Sequence, residues 1–385
     1  MMRIVDFETF IVGNPPDGRG IHRGGTNWVF LKLMTDEGIH GWGECSAHPA
    51  FRERTVVRLI EEMGGHFVVD RADPFDIERL WGMLYGGNLF FRHPGTLATQ
   101  AVAAYEMACW DIVGKYLGQP VYNLLGGRYN ERLRSYTYLY EWQPGDPAEE
   151  AGPTVERLVE RGFTGVKLDP IPPHIPQPRD ISLGELRYAE EVIGGIREAV
   201  GDRCDILIGT HGQLTTHSAI RFARRLERFD PLWFEEPVPP ENVDEMARVA
   251  RATSIPIATG ERLATKWDFR RLLEKQAAQI IQVNIGLNGI LESKKIAGMA
   301  EAHYAQIAPW MYCGPVAGAA NIHLDVCSPN FLIQEGIGAW DGFHAEILRE
   351  PIRWERGYIV PPTGPGLGVE LDEDVMAEHP YNPPR

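Results

Sequence analysis

The chain has 385 residues, 44% hydrophobic and 24% charged, which is too long for one ordinary core; two domains are expected, and a barrel of about 250 residues would fit as one of them. Its 53 acidic residues against 38 basic ones leave a formal charge of −15, which argues against nucleic acid or an anionic membrane as partner, because both require a basic face. An anionic small molecule stays open, since a local cation reverses the field inside a single pocket.

The first residues, Met1-Met-Arg-Ile-Val-Asp-Phe-Glu, carry acids where a signal peptide would be apolar, and no apolar run approaches the roughly 20 residues that cross a bilayer. A cytoplasmic protein is expected. Alternation then marks three strands of an antiparallel sheet, in Arg3 to Val12, Trp28 to Leu33 and His40 to Cys45. Between the first two lies a turn-rich loop over 13–27 that contains His22, a candidate substrate contact, and a loop of that length is mobile or functional. Helical periodicity follows in Thr55 to Met63, Pro74 to Leu84 and Thr96 to Leu117, the last closed by Gly118 and Pro120. Residues 1–125 therefore read as an α+β domain. The five cysteines are widely spaced, with no Cys-x-x-Cys pair, so they are expected to be reduced packing residues.

From about Arg132 short apolar runs alternate with amphipathic stretches. Eight strand-like runs are expected: Leu133 to Tyr140, Gly165 to Asp169, Asp205 to Gly209, Leu232 to Glu235, Ile255 to Ala258, Ile280 to Val283, Gln306 to Ala308 and Phe331 to Gln334. They match a (β/α)8 barrel over 126–356, with catalytic groups at the C-terminal strand ends. A doubly wound sheet is the competing architecture, but its glycine-rich phosphate fingerprint is missing. Residues 357–385, turn-rich through Pro361-Pro-Thr-Gly-Pro-Gly-Leu-Gly, are expected to pack back toward the first domain.

Glu235 and Glu261 each end a barrel run. Two such carboxylates in successive repeats suit a hard cation, since Mg²⁺ takes oxygen ligands; salt-bridged or capping glutamates are the alternative.

In its motifs the chain resembles the enolase superfamily, and within it the mandelate racemase-like acid-sugar dehydratases. The resemblance rests on Gly41-Trp-Gly-Glu-Cys, Ala108-Cys-Trp-Asp-Ile-Val-Gly-Lys with Leu124-Leu-Gly-Gly, Trp233-Phe-Glu-Glu-Pro, Ala258-Thr-Gly-Glu-Arg and Asn330-Phe-Leu-Ile-Gln-Glu335. It implies an α+β capping domain over a modified (β/α)8 TIM barrel, homo-oligomers, one Mg²⁺ on three strand-end carboxylates, and proton abstraction beside a substrate carboxylate with the enediolate stabilised by the metal. Glu235 and Glu261 match the second and third metal ligands.

The pattern breaks in three places. The first metal ligand falls on Gly209, so His211 or Asp169 substitutes, or water completes a weaker site, or the metal is lost. Lys167 matches the first lysine of the family's Lys-x-Lys and would neutralise the substrate carboxylate, whereas Asp169 stands where many members place the catalytic base. Asn284 and Trp310 replace the aspartate and histidine of the family's second base, which argues against a two-base racemase and leaves both as candidate substrate contacts. A tyrosine (Tyr138, Tyr140 or Tyr312) with a pKa lowered by Lys167 or the metal is one substitute base.

His211 matches the histidine that protonates the departing hydroxyl in galactonate- and mannonate-type dehydratases, and period two puts it on the same face as residue 209. Glu335 matches the residue that hydrogen-bonds the intermediate's carboxylate. Arg262 adds positive charge beside Glu261, or serves an ion-pairing scaffold. The expected function is dehydration of a sugar acid by β-elimination; the alternatives are a cycloisomerase or epimerase and a catalytically degenerate binding protein.

Overall fold

In the computed structural model, which describes residues 2–15, 26–46, 52–87, 95–174 and 176–382, the first alternating runs form an antiparallel meander of β1 (Ile4–Gly13), β2 (Asn27–Thr35) and β3 (His40–Cys45). Helices α1 (Glu53–Met63), α2 (Ile77–Gly86) and α3 (Gly95–Leu117) cover it. Strand β3 lies so close to α3 that a Cβ on Gly41 or Gly43 would collide with the carbonyl oxygens of Ala108 and Ala104. The glycines of Gly41-Trp-Gly thus serve backbone approach. His22 and the rest of 16–25 lie outside the described residues.

The barrel strands are β4 (Leu133–Tyr138), β5 (Gly165–Leu168), β6 (Asp205–Gly209), β7 (Trp233–Glu235), β8 (Ile257–Thr259), β9 (Ile280–Ile281), β10 (Gln306–Ile307) and β11 (Gln334–Gly336). Each pairs in parallel with the next from β4 to β10. β11 pairs in parallel with β4, and an Ile307–Phe331 bridge joins the remaining gap. This closed ring removes the doubly wound alternative. The last strand begins three residues later than the apolar run Phe331 to Gln334 indicates, because Phe331 makes only that bridge and the ladder to β4 starts at Gln334 opposite Ser135.

Period two sorts the barrel side chains. Tyr136, Leu207, Trp233, Ala258, Ile280, Ala308 and Ile333 pack together as an inner apolar cluster. Val166, Leu168, Ile206, Ile208, Phe234, Ile257 and Ile307 instead join the core with the outer helices. Two residues beyond the inner cluster, toward the C-terminal strand ends, come Tyr138, Gly209, Glu235, Gln282, Trp310 and Glu335. The floor of the barrel is apolar, and the layer above it carries the chemistry.

Three buried carboxylates join the first domain to the rest. Glu44 accepts from the Gly314 and Ala317 N–H groups, the latter at 2.8 Å, at the N-terminus of helix Pro315–Val326. Glu106 on α3 accepts from Ile290 and Leu291 N–H at 2.6 and 2.7 Å, just after Gly289 (φ 71°) breaks helix Ile285–Ala302. Asp111 accepts from Trp42 and Leu367 N–H at 2.9 and 2.8 Å and pairs with Lys115 at 2.8 Å. Helix N-termini and free backbone donors favour anionic acceptors.

A hairpin of β12 (Arg353–Glu355) and β13 (Tyr358–Val360) pairs antiparallel with β4. Beyond it the chain returns to the meander, where Gly13 N–H donates to the His379 carbonyl and Trp42 Nε1 donates to Glu370 at 3.0 Å. The five cysteines are free and buried. Among the described residues no helix is long and apolar enough to cross a membrane.

Candidate active site

A cavity of about 480 Å³ opens at the C-terminal ends of the barrel strands, beneath the first domain. Its lining includes Lys167, His211, Glu261, Arg262, Asn284, Trp310 and Glu335 from the barrel, with Tyr138, Tyr140 and Tyr312, and Ser46, Arg52, Thr96 and Gln100 from the first domain. A smaller cavity of about 270 Å³ shares Tyr140 and Tyr312 with it, but its other charged side chains are Asp341 and Glu346 with no lysine or arginine. An anion is therefore better matched to the larger cavity.

Lys167 lies on β5 with 2% of its side chain exposed, and its Nζ pairs closely with Glu235 Oε1 and lies 3.6 Å from Glu335 Oε1. Burial alone would lower its pKa, but Glu235 and Glu335 hold it well above the usual lysine range. The second Glu235 oxygen accepts from Trp233 Nε1 at 3.0 Å and Gln282 Nε2 at 2.7 Å. Glu335 accepts from Met311 N–H at 2.8 Å, and burial raises its pKa, the direction that keeps a proton available for donation.

Asp169 and His211, expected separately as base, ligand or acid, form one pair. His211 Nδ1 lies 2.6 Å from Asp169 Oδ2. The charge of Asp169 is the main cause that pushes His211 up to about 10. Although burial opposes it, His211 in turn holds Asp169 below the usual carboxylate range. His211 keeps 46% of its side chain exposed, and its backbone is left-handed (φ 49°), as is that of Glu236 (φ 39°) on the adjacent strand end. Such conformations cost free energy in non-glycine residues and recur at functional sites.

Glu261 lines the cavity, yet its Oε2 is buried without a hydrogen-bond partner. Burial, followed by the charges of Glu236 and Glu235, pushes its pKa up. Arg262 is committed on one side to Glu236, through Nη2 and through Nε at 3.3 Å. Asn284 donates to Ser46 Oγ at 3.0 Å and to the Glu261 carbonyl at 3.2 Å, tying the barrel to the end of β3. It shares a parallel bridge with Trp310, so the positions of the family's second dyad do sit side by side, without a titratable group.

Glu235 and Glu335 already engage Lys167, because all three point into one lumen layer, so an incoming carboxylate meets an ammonium shared with them. One expectation needs correction: a lowered tyrosine pKa at Tyr138 is overturned, because burial and Asp169 raise it well above its ordinary value. Gln282, Trp233 and Glu236 were missed as partners of the site. Gln282 was legible as a lumen position two residues beyond Ile280, whereas the Glu236–Arg262 pair depends on the turn at residue 236.

The superfamily uses Mg²⁺, so the donor set must be tested against it. Gly209 supplies no ligand, both Glu235 oxygens are occupied by protein donors, and one Asp169 oxygen is bound to His211. Among the described residues no three His, Cys, Asp or Glu side chains are disposed to hold a metal ion. Glu235 and Glu261, the expected ligands, share the region, but this arrangement does not fit the three-carboxylate site.

The closed barrel, the capping meander and the strand-end carboxyl groups define an enolase-type enzyme scaffold. Sequence comparison agrees: residues 21–126 match the mandelate racemase / muconate lactonizing enzyme N-terminal domain, and residues 150–375 match the enolase C-terminal domain-like family. The chain belongs to the mandelate racemase/muconate lactonizing enzyme family of the enolase superfamily.

Among curated relatives, it is 37% identical over 366 residues to a D-galactonate dehydratase of Ralstonia nicotianae, covering 93% of this chain and 92% of that one. A D-galactonate dehydratase of Variovorax paradoxus is 36% identical, with 94% of each chain covered. Among solved structures, a mandelate racemase/muconate lactonizing enzyme-like protein from Roseovarius sp. TM1035 superposes with a TM-score of 0.92 at 41% identity, covering 99% of this chain and 96% of that one.

Proposed function

We propose that the chain is a lyase that dehydrates a sugar acid of the aldonate class by β-elimination. The observation that carries this reading is the placement, around one cavity, of a buried ammonium and carboxyl (Lys167 and Glu335) together with a histidine–aspartate pair (His211 and Asp169). The relatives named D-galactonate dehydratase support the same chemistry and make D-galactonate the first substrate to try.

The substrate carboxylate sits against Lys167 and Glu335. Positive charge and a donated proton there stabilise the second negative charge that develops when the C2–H bond breaks, and their fixed positions avoid reorganisation at that moment. His211, held protonated by Asp169, gives its proton to the C3 hydroxyl as the C3–O bond breaks, so that the oxygen leaves as water. The electron pair from C2–H forms the C2–C3 double bond of an enol, which tautomerises to the 2-keto-3-deoxy acid. Glu261, a cavity carboxyl with one unpartnered oxygen, accepts the C2 proton in its ionised form, which becomes the main form as pH rises through about 8. Arg262, Asn284 and Trp310 bound the far wall and contact the hydroxylated chain. In relatives that bind it, Mg²⁺ supplies Lewis-acid stabilisation of the enediolate; no step here is routed through it.

The test is incubation with D-galactonate and a panel of stereoisomeric aldonates in D₂O, followed by NMR. A 2-keto-3-deoxy product with deuterium at C3 supports the reading. Exchange or epimerisation at C2 without elimination replaces it with the isomerase alternative, and no reaction with any acid favours a binding role.

A further inference from the structure

The region around Gly209 holds a second observation beyond the missing ligand. A side chain there would have its Cβ against Asp169 Oδ1, with Lys167 Cε 3.4 Å away. The space opened by glycine is therefore filled from β5, by the aspartate that holds His211 and by the stem of the lysine. The lysine's charged end reaches Glu235, which matches a metal ligand in the family, and approaches Glu335. Glu235 is then closed by Trp233 Nε1 and Gln282 Nε2. Three donors take three of the roughly four lone-pair positions on its two oxygens, which leaves at most one for a separate ion.

We propose that Lys167 is the resident cation of this site, its ammonium taking the position and the electrostatic role that a divalent ion has in relatives, so that the chain works without metal. The lysine at 167 is one the family shares; what differs is the loss of the carboxylate at 209, which leaves Glu235 to a covalently tethered ammonium that needs three acceptors in place of an ion that needs several oxygen ligands. Within the proposed reaction, the ammonium faces the charge that develops on the substrate carboxylate. A tethered cation also carries no dissociation constant, so the site stays charged at any metal concentration.

The inference rests on the dehydratase reading only for its activity arm, and the binding arm stands alone. Full-length protein dialysed against EDTA is titrated with Mn²⁺, with free ion counted by electron paramagnetic resonance, and with Mg²⁺ by calorimetry. Melting temperature is recorded with and without millimolar Mg²⁺. The expected result is no stoichiometric ion and an unchanged melting temperature, since a ligand that binds only the folded state would raise it. One Mn²⁺ per chain in the wild type, lost in Glu235→Gln, overturns the proposal. In the activity arm, turnover of D-galactonate in EDTA equal to that in Mg²⁺ supports it, and turnover that appears only on adding Mg²⁺ overturns it. If no sugar acid reacts, the functional reading fails while the Mn²⁺ count still decides the cation.

Discussion

At the ends of β5 and β6 the cavity is walled by Lys167 and by His211, which Asp169 backs, each charged and each tied to a partner. At the ends of β9 and β10 it is walled by Asn284 and Trp310, which carry no titratable group and are fixed by a backbone bridge and by hydrogen bonds to Ser46 and the Glu261 carbonyl. Both walls come from the C-terminal strand ends of the same barrel, so the difference is one of side chains. Proton transfer to the substrate is thus available from one side, as elimination requires, and a two-base inversion has no second base opposite.

The sharpest way to break this asymmetry is Lys167→Met. It leaves Glu235 and Glu335 buried beside each other without their cation, so turnover is expected to fall by about 10³-fold, the size of a lost transition-state donor, and unfolding free energy by about 3–5 kcal/mol. Steady-state kinetics and urea melts read the two effects. Next comes His211→Asn, which removes the acid but leaves the α-proton chemistry. Elimination is expected to fall by about 10²–10⁴-fold while C2–H exchange in D₂O persists; loss of both in parallel shows that His211 acts earlier.

A pH series tests the same wall without mutation. His211 must be protonated to act, and Asp169 raises its pKa from 6.5 to about 10. Turnover is expected to be lost on the alkaline side as pH rises through about 10. Stability follows the same sign: a folded pKa above the unfolded value gives a contribution fully present below about 6.5 and lost as pH rises through about 10. The smallest effect is expected on the quiet wall, where Trp310→Phe keeps kcat within about tenfold and acts on KM, as for a uniform binding contact. A collapse of kcat in that variant would erase the distinction between the walls.

The sequence made the barrel readable because its strands repeat an in–out alternation, and the same alternation put residues 209, 235 and 335 at lumen positions. It also revealed Gly209, Asn284 and Trp310 as departures. Hidden were the pairings: Lys167 with Glu235 and Asp169 with His211 join residues 68 and 42 positions apart, across strands whose separation no local periodicity encodes. The same holds for Gly41-Trp-Gly-Glu, whose glycines and carboxylate looked like a family signature and proved to be a site of close approach and a helix-terminus clamp. The displaced start of β11 has a simpler cause, since apolar character extends beyond the residues that make ladder hydrogen bonds.

The clamps formed by Glu44, Glu106 and Asp111 bear on how the molecule comes apart. Each sets a buried carboxyl group from the first domain on backbone N–H groups of later segments, so separating the two parts breaks these hydrogen bonds at three points together. The larger apolar core also takes Trp28, Phe30, Trp42 and Met107 from the first domain. Heat is therefore expected to unfold them in one calorimetric transition, with van't Hoff and calorimetric enthalpies equal, and a first domain that melted earlier would show that the clamps do not couple them.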